Sequence, residues 1–224
     1  MSDNLRRYRA IRDALTQWYP DQPTGTVARP WATLAAFISG IVGSKSTQLP
    51  NVATKIPDGT KPESRVKRLT RWLDNARILE EVYFVPYVDL LLTQLALETL
   101  VVVMDGSAVG RGCLALRLHV VYKGRALPLA WRVRQSPTGP CPEDLHIARV
   151  EWLSTLIPEG AKGVLLGDGE CDGTALPDTL SELGWSYVCR TAMSTTATWE
   201  GEPFRLDVLG ACIQPGRLIE LQEV

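Results

Sequence analysis

Apolar positions in the first hundred residues recur at the three-to-four spacing of helices, and from Val101 the spacing switches to the alternation of strands. LRRYRAIRDALTQWY (5–19) reads as one helix, stopped by Pro20 and by Pro-Thr-Gly at 23–25. Pro30 then opens WATLAAFISGIVG, apolar enough for a core helix, and a short helix is expected over LPNVATKI before the DGTKP turn. KPESRVKRLTRWLDNAR (61–77) is amphipathic, with Val66, Leu69 and Leu73 on one side and Lys61, Arg65, Lys67, Arg68 and Arg71 around the remainder. A further helix is expected over residues 84–99.

The second half carries a different pattern. LVVVMDGS (100–107) is a β-branched run expected to end at Asp105, and CLALRLHVVYKGRALPLAWRVRQ (113–135) alternates around Lys123-Gly124, which predicts an antiparallel hairpin. After the SPTGPCP break, EDLHIARVEWLSTLI is expected as a helix with Leu145, Ala148, Trp152 and Leu156 on its inner stripe. AKGVLLGD reads as a strand, TALPDTLSELG as a helix closed by Gly184, and WSYVCRTA as another strand. Three strands followed by helix-strand units give an α/β fold: a mixed sheet covered by helices, preceded by an all-helical region. Residues 1–78 form that helical region, 79–192 the sheet domain, and 193–224 a β-rich tail of short strands and turns without a closing helix.

Composition refines this picture at two points. The 224 residues are 45% hydrophobic with a formal charge of −1, no apolar run reaches bilayer length, and the start MSDNLRRYRAIRD is charged, so a soluble cytoplasmic protein is expected. The net charge conceals an asymmetry. Residues 1–77 hold 13 Lys and Arg against 6 Asp and Glu, and the remainder holds 11 against 19. A basic front suits a polyanion such as DNA, and an acidic rear serving the same polyanion needs divalent metal to reverse its local sign. The basic helix is compatible with a helix-turn-helix type of DNA contact and equally with a solvated face. Five scattered cysteines, with no Cys-x-x-Cys pair and only two histidines, point to reduced thiols packed as small apolar groups rather than to structural zinc.

The chemistry concentrates in LLGDGECDG (165–173). A calcium loop would need a bidentate Glu where Thr179 stands. A dehalogenase-like phosphohydrolase would need its Asp nucleophile at Val103, and a phosphate cradle would be repelled by Asp168, Glu170 and Asp172. Divided carboxylates remain: Asp105 and Asp168 at the ends of parallel neighbouring strands would emerge at one sheet edge and share a hard cation. The competing reading is that each Asp merely starts a turn.

VVVMDGS, the hairpin ending in RALPLAWRV, then VLLGDGEC and GWSYVCR, in that order and spacing, resemble bacterial insertion-sequence transposases of the DDE type, the IS-four family. The resemblance covers about residues 28–220 and is strongest over 101–190. It implies a ribonuclease-H-like core, Asp105 and Asp168 as catalytic metal ligands for Mg²⁺ or Mn²⁺, and Ser107, Glu170 and Arg190 in support. Lys61, Arg65, Lys67, Arg68 and Arg71 would hold DNA, with Asp172 capping the following helix. The implied reaction is DNA transposition by strand cleavage and strand transfer at the element's ends and in target DNA, by a homodimer assembled on DNA at the bacterial nucleoid. Two departures stand out. The Arg and aromatic that usually follow the second acid are replaced within Asp168-Gly169-Glu170-Cys171, and no Tyr-Arg-Glu-Lys-like signature supplies a third acid. Glu220 and Glu223 are weak substitutes, so a truncated transposase is expected, with a non-catalytic DNA-binding regulator and a magnesium-dependent phosphohydrolase as alternatives.

Overall fold

The computed structural model describes residues 2–19, 24–25, 28–95, 99–135, 139, 141–171, 173–217 and 220. The chain divides into two compact units, Met1–Gln94 and Leu95–Val224, against sequence expectations of boundaries after 78 and 192. Among the described residues, no helix is long and apolar enough to cross a membrane.

The first unit is helical: α1 (Asp3–Trp18), α2 (Ala28–Ser44), α3 (Leu49–Thr54), α4 (Pro62–Leu73), α5 (Glu80–Tyr83) and α6 (Val85–Leu95). Ser2 caps α1 by accepting the Leu5 N–H, and prolines sit in the first turns of α3 and α4, where no N–H is missed. One core cluster joins Leu15, Tyr19, Trp31 and Ala35, and a second joins Ala36, Val52, Ile56 and Leu69. The two meet on α2, whose Gly40 lets α3 approach so closely that a Cβ there would lie 2.8 Å from the Val52 carbonyl oxygen. The inward face of α4 differs from expectation. Leu69 is fully buried but Leu73 is 53% exposed, and Trp72 turns inward to donate to the Pro30 carbonyl.

The second unit is a five-stranded sheet in the order β3-β2-β1-β4-β5: β1 (Thr99–Gly110), β2 (Cys113–Tyr122), β3 (Arg125–Gln135), β4 (Lys162–Gly167) and β5 (Ser186–Cys189). β1 to β3 are antiparallel neighbours, whereas β4 runs parallel to both β1 and β5. The α/β class and mixed sheet expected from the pattern are present. Lys123 and Gly124 both take positive φ, as a two-residue hairpin turn demands. β1 begins at Thr99, inside the expected helix, and continues past Asp105 to Gly110, because β2 pairs with it from Val102 onward, with a register shift between Ala108 and Gly110.

Alternation along the central strands buries one face completely: Leu100, Val102 and Met104 of β1 with Leu116, Leu118 and Val120 of β2 and Leu165 of β4. Two helices, α7 (Glu143–Ser154) and α8 (Ala175–Glu182), contact the sheet and each other. The buried positions of α7 are His146, Val150 and Leu153 rather than the expected Leu145, Ala148, Trp152 and Leu156. Counting His146 as polar turns the expected helix about its axis. Past β5, the hairpin β6 (Thr196–Trp199) and β7 (Glu202–Arg205) is followed by α9 (Leu206–Cys212), a helix the tail was not expected to hold. Its seven residues include Gly210 and bury no side chain, so the sequence offers little helical signal there.

Candidate functional site

The parallel register brings the two candidate acids into one row. Pairing of β1 with β4 ends at Val103 opposite Leu166, and Leu166 is opposite Val188 of β5. Two positions beyond these three residues stand Asp105, Asp168 and Arg190. The Arg190 N–H still donates to the Gly167 carbonyl, 3.1 Å away, so the β4–β5 register holds to the end of those two strands. Neighbouring strands are about 4.8 Å apart, so continuing that register by two residues would set the two acids on adjacent strands, just past the last β1–β4 pair.

Asp105 already has a cationic partner. Arg117 lies directly opposite it on β2, its Nη2 is 2.6 Å from Asp105 Oδ2, and the same nitrogen donates to Ser107 Oγ. Sequence reading does not single out Arg117, although both residues stand six positions from Arg111 at the centre of the Gly-Arg-Gly turn. His119, two residues further along the same face, has its imidazole pushed down by burial and by Arg117, against an upward pull from Asp105. Asp168 is exposed and organises its own turn: its Oδ1 accepts the Glu170 N–H at 3.0 Å and its carbonyl accepts the Cys171 N–H. That is the geometry of the turn-starting reading.

Glu170 belongs to the opposite face. It sits in the single 3₁₀ turn Gly169–Cys171, and its carboxylate lies over Gly106, where a Cβ would strike Oε2. There it meets two residues not joined to it in the sequence reading. One donor atom each from Cys141, His146 and Glu170 lies within 4.8 Å of the others. Cys141 and His146 are 5% and 1% exposed, and neither ring nitrogen of His146 nor Glu170 Oε2 has a hydrogen-bond partner among the described residues. An unpaired buried polar group costs about 1–3 kcal/mol, so unpartnered atoms on both His146 and Glu170 need explanation. Burial pushes the His146 imidazole down, opposed by Glu170 and Glu143, and burial then Glu170 push the Cys141 thiol up. The signal in the sequence is a Cys-x₄-His spacing leading into a helix.

All five cysteines are free, and Cys141 and Cys171 are buried as expected for small apolar thiols. Cys212 departs from that expectation because the short α9 leaves it exposed.

The basic helix divides into two kinds of residue. Lys61, Lys67 and Arg71 are exposed. Arg65 and Arg68 instead close on Asp58: Arg65 Nε reaches its Oδ1 and Arg68 Nη2 its Oδ2, both at 2.7 Å. Arg65 also donates to the Ala53 carbonyl at 3.0 Å and to the Asp58 carbonyl. Its side chain is only 13% exposed, and it ties α3, the DGT turn and α4 together.

The expected cap at Asp172 and the candidate third acid Glu223 lie outside the described residues. At the start of α8 the Leu176 N–H is taken by Glu143 Oε1 of α7 at 2.9 Å. Glu220 is exposed. Among the described residues, the only group of three metal-capable side chains is Cys141, His146 and Glu170.

Compared with models of known families and with curated proteins, the chain matches none.

Proposed function

We propose that the second unit is a ribonuclease-H-like core of the DDE transposase type and that the chain acts on DNA by metal-dependent strand cleavage and strand transfer. The observation that carries this reading is the parallel register of β1, β4 and β5, whose row through Val103, Leu166 and Val188 has Asp105, Asp168 and Arg190 two positions further along each chain segment. Ligands of open α/β sheets bind at that edge. The order β3-β2-β1-β4-β5, with antiparallel β1 to β3 and parallel β4 and β5, is the arrangement such a core requires and adds support.

Two carboxylates at one edge suit a hard cation that takes oxygen donors, with water and phosphate oxygens completing an octahedron. Asp105 and Asp168 would hold Mg²⁺ or Mn²⁺. When bound, the ion supplies a lowered pKa for the attacking water or 3′-hydroxyl and charge stabilisation for the leaving oxygen. Arg190 would contact a DNA phosphate, and Ser107 would share Arg117 with Asp105. Incubating the full chain with Mn²⁺ and a duplex carrying the element's end should produce nicks that vanish in Asp105→Asn. Cleavage that survives the substitution would sink the assignment.

The exposed side of α4 and its N-cap support DNA contact through Lys61, Lys67 and Arg71. Changing all three to Ala should weaken duplex binding and flatten its salt dependence by roughly 0.9 for each phosphate no longer neutralised. An unchanged slope would remove α4 from the interface.

A second reading, DNA binding without catalysis by a regulator, is favoured by Arg117 on Asp105 and by the turning of Glu170 to the other face. It predicts salt-sensitive DNA binding with no strand breakage in either metal.

A further inference from the structure

We propose that Cys141, His146 and Glu170 form a zinc site on the helix-covered face of the sheet, separate from the Asp105 and Asp168 edge. The donor set decides the metal class. A thiolate with an imidazole selects borderline transition ions such as Zn²⁺ over Mg²⁺ or Ca²⁺, which take oxygen. Three protein donors leave a fourth tetrahedral position for water.

Geometry and burial carry the proposal. The three donor atoms converge within 4.8 Å, and among the described residues neither His146 nitrogen nor Glu170 Oε2 is engaged in a hydrogen bond. Zinc bonds of about 2.0–2.3 Å require only a modest contraction of that triangle. His146 offers two unpartnered nitrogens while 1% exposed, so its ring faces the cluster with no water-accessible alternative. Gly106 provides the room: a side chain there would displace the Glu170 carboxylate. A catalytic Cys-His-Glu triad is the rival for these residues, and it fails on access, because its nucleophile Cys141 is 5% exposed.

The ion would join three segments: the stretch two residues before α7, the first turn of α7, and the 3₁₀ turn after β4. That turn carries the backbone N–H on which Asp168 is seated. The site would therefore fix the carboxyl end of β4 from beneath. It stands whether or not the edge above cleaves DNA.

Co²⁺ added to the purified full chain provides the test, since a thiolate ligand gives a cobalt charge-transfer band in the near ultraviolet. Wild type is expected to bind one Co²⁺ per chain with that band, and one competing Zn²⁺ should erase it and raise the thermal midpoint. Cys141→Ser should lose the band, and His146→Gln should weaken binding at least about 100-fold. Cys113→Ser with Cys212→Ser should change nothing, which separates the site from stray surface thiols. Glu170→Gln, the least buried change, serves if the other variants misfold, and it should lower affinity at unchanged circular dichroism. Wild type without the band, or stoichiometric binding that survives Cys141→Ser with His146→Gln, overturns the site.

Discussion

Asp58→Ala is expected to cost the helical unit about 3 kcal/mol at neutral pH and to lower its thermal midpoint by roughly 15 °C. Burial alone would raise the Asp58 carboxyl, but hydrogen bonds from Thr60, Arg68 and Arg65 outweigh it and hold the group at about 2, below its ordinary 3.8. A depressed folded pKa gives stability that is complete above the unfolded value and is lost as pH falls through about 2. At about 1.4 kcal/mol per pKa unit, the carboxylate contributes about 2 kcal/mol. The remaining loss comes from Arg65, whose guanidinium, 13% exposed, would keep only backbone carbonyls. Urea unfolding followed by helical circular dichroism should show a wide gap between wild type and variant at pH 7 that closes near pH 2. A gap of equal size at both pH values would mean that charge pairing at Asp58 plays no part.

That anchor also marks where sequence reading stops. The charges of α4 are legible as a basic stripe, but which of them face water depends on Asp58, seven residues from Arg65 and ten from Arg68 across a turn. A helical projection of α4 alone cannot include that carboxylate. The β2–β3 hairpin is legible because Lys123-Gly124 supplies a local, conformation-specific turn between alternating strands. The length of β1 is not, because only its pairing with β2 carries it past Asp105.

The candidate site is partly legible for the same reason. Asp105 and Asp168 each follow an apolar run, a local signal, and the parallel pairing of β1 and β4 aligns them. Glu170 lies two residues from Asp168 in sequence yet across the sheet in space, since the 3₁₀ turn reverses its direction and Gly106 admits it to the buried face. Its partners there, Cys141 and His146, read in sequence as a small packed thiol and as a helix position off the expected inner stripe. Their convergence depends on the rotation of α7, which buries His146 in line with Val150 and Leu153. Hydrophobic periodicity scores histidine with the polar residues and so points that helix the wrong way.

Arg117→Ala should raise the affinity of the strand edge for Mn²⁺ by about tenfold or more. In the wild type the guanidinium sits 2.6 Å from Asp105 Oδ2, so an incoming dication must either displace it or bind beside a like charge. The pair is about half exposed, with side chains 40% and 45% accessible, and such an ion pair is worth at most about 1 kcal/mol by itself. Repulsion between the guanidinium and a dication sharing one carboxylate adds to that, which sets the expected gain near 1.4 kcal/mol, a factor of ten. Calorimetric titration of Mn²⁺ into wild type, Arg117→Ala and the double variant Arg117→Ala with Asp105→Asn separates the terms, because the gain must disappear once the carboxylate is gone. If cleavage accompanies the tighter binding, Arg117 restrains a competent metal site and the catalytic reading gains. If Mn²⁺ binds more tightly without strand breakage, the edge lacks a further acid and the DNA-binding reading prevails. Unchanged affinity would show that Asp105 and Arg117 are simply a cross-strand pair and that the row at the carboxyl edge does not recruit metal.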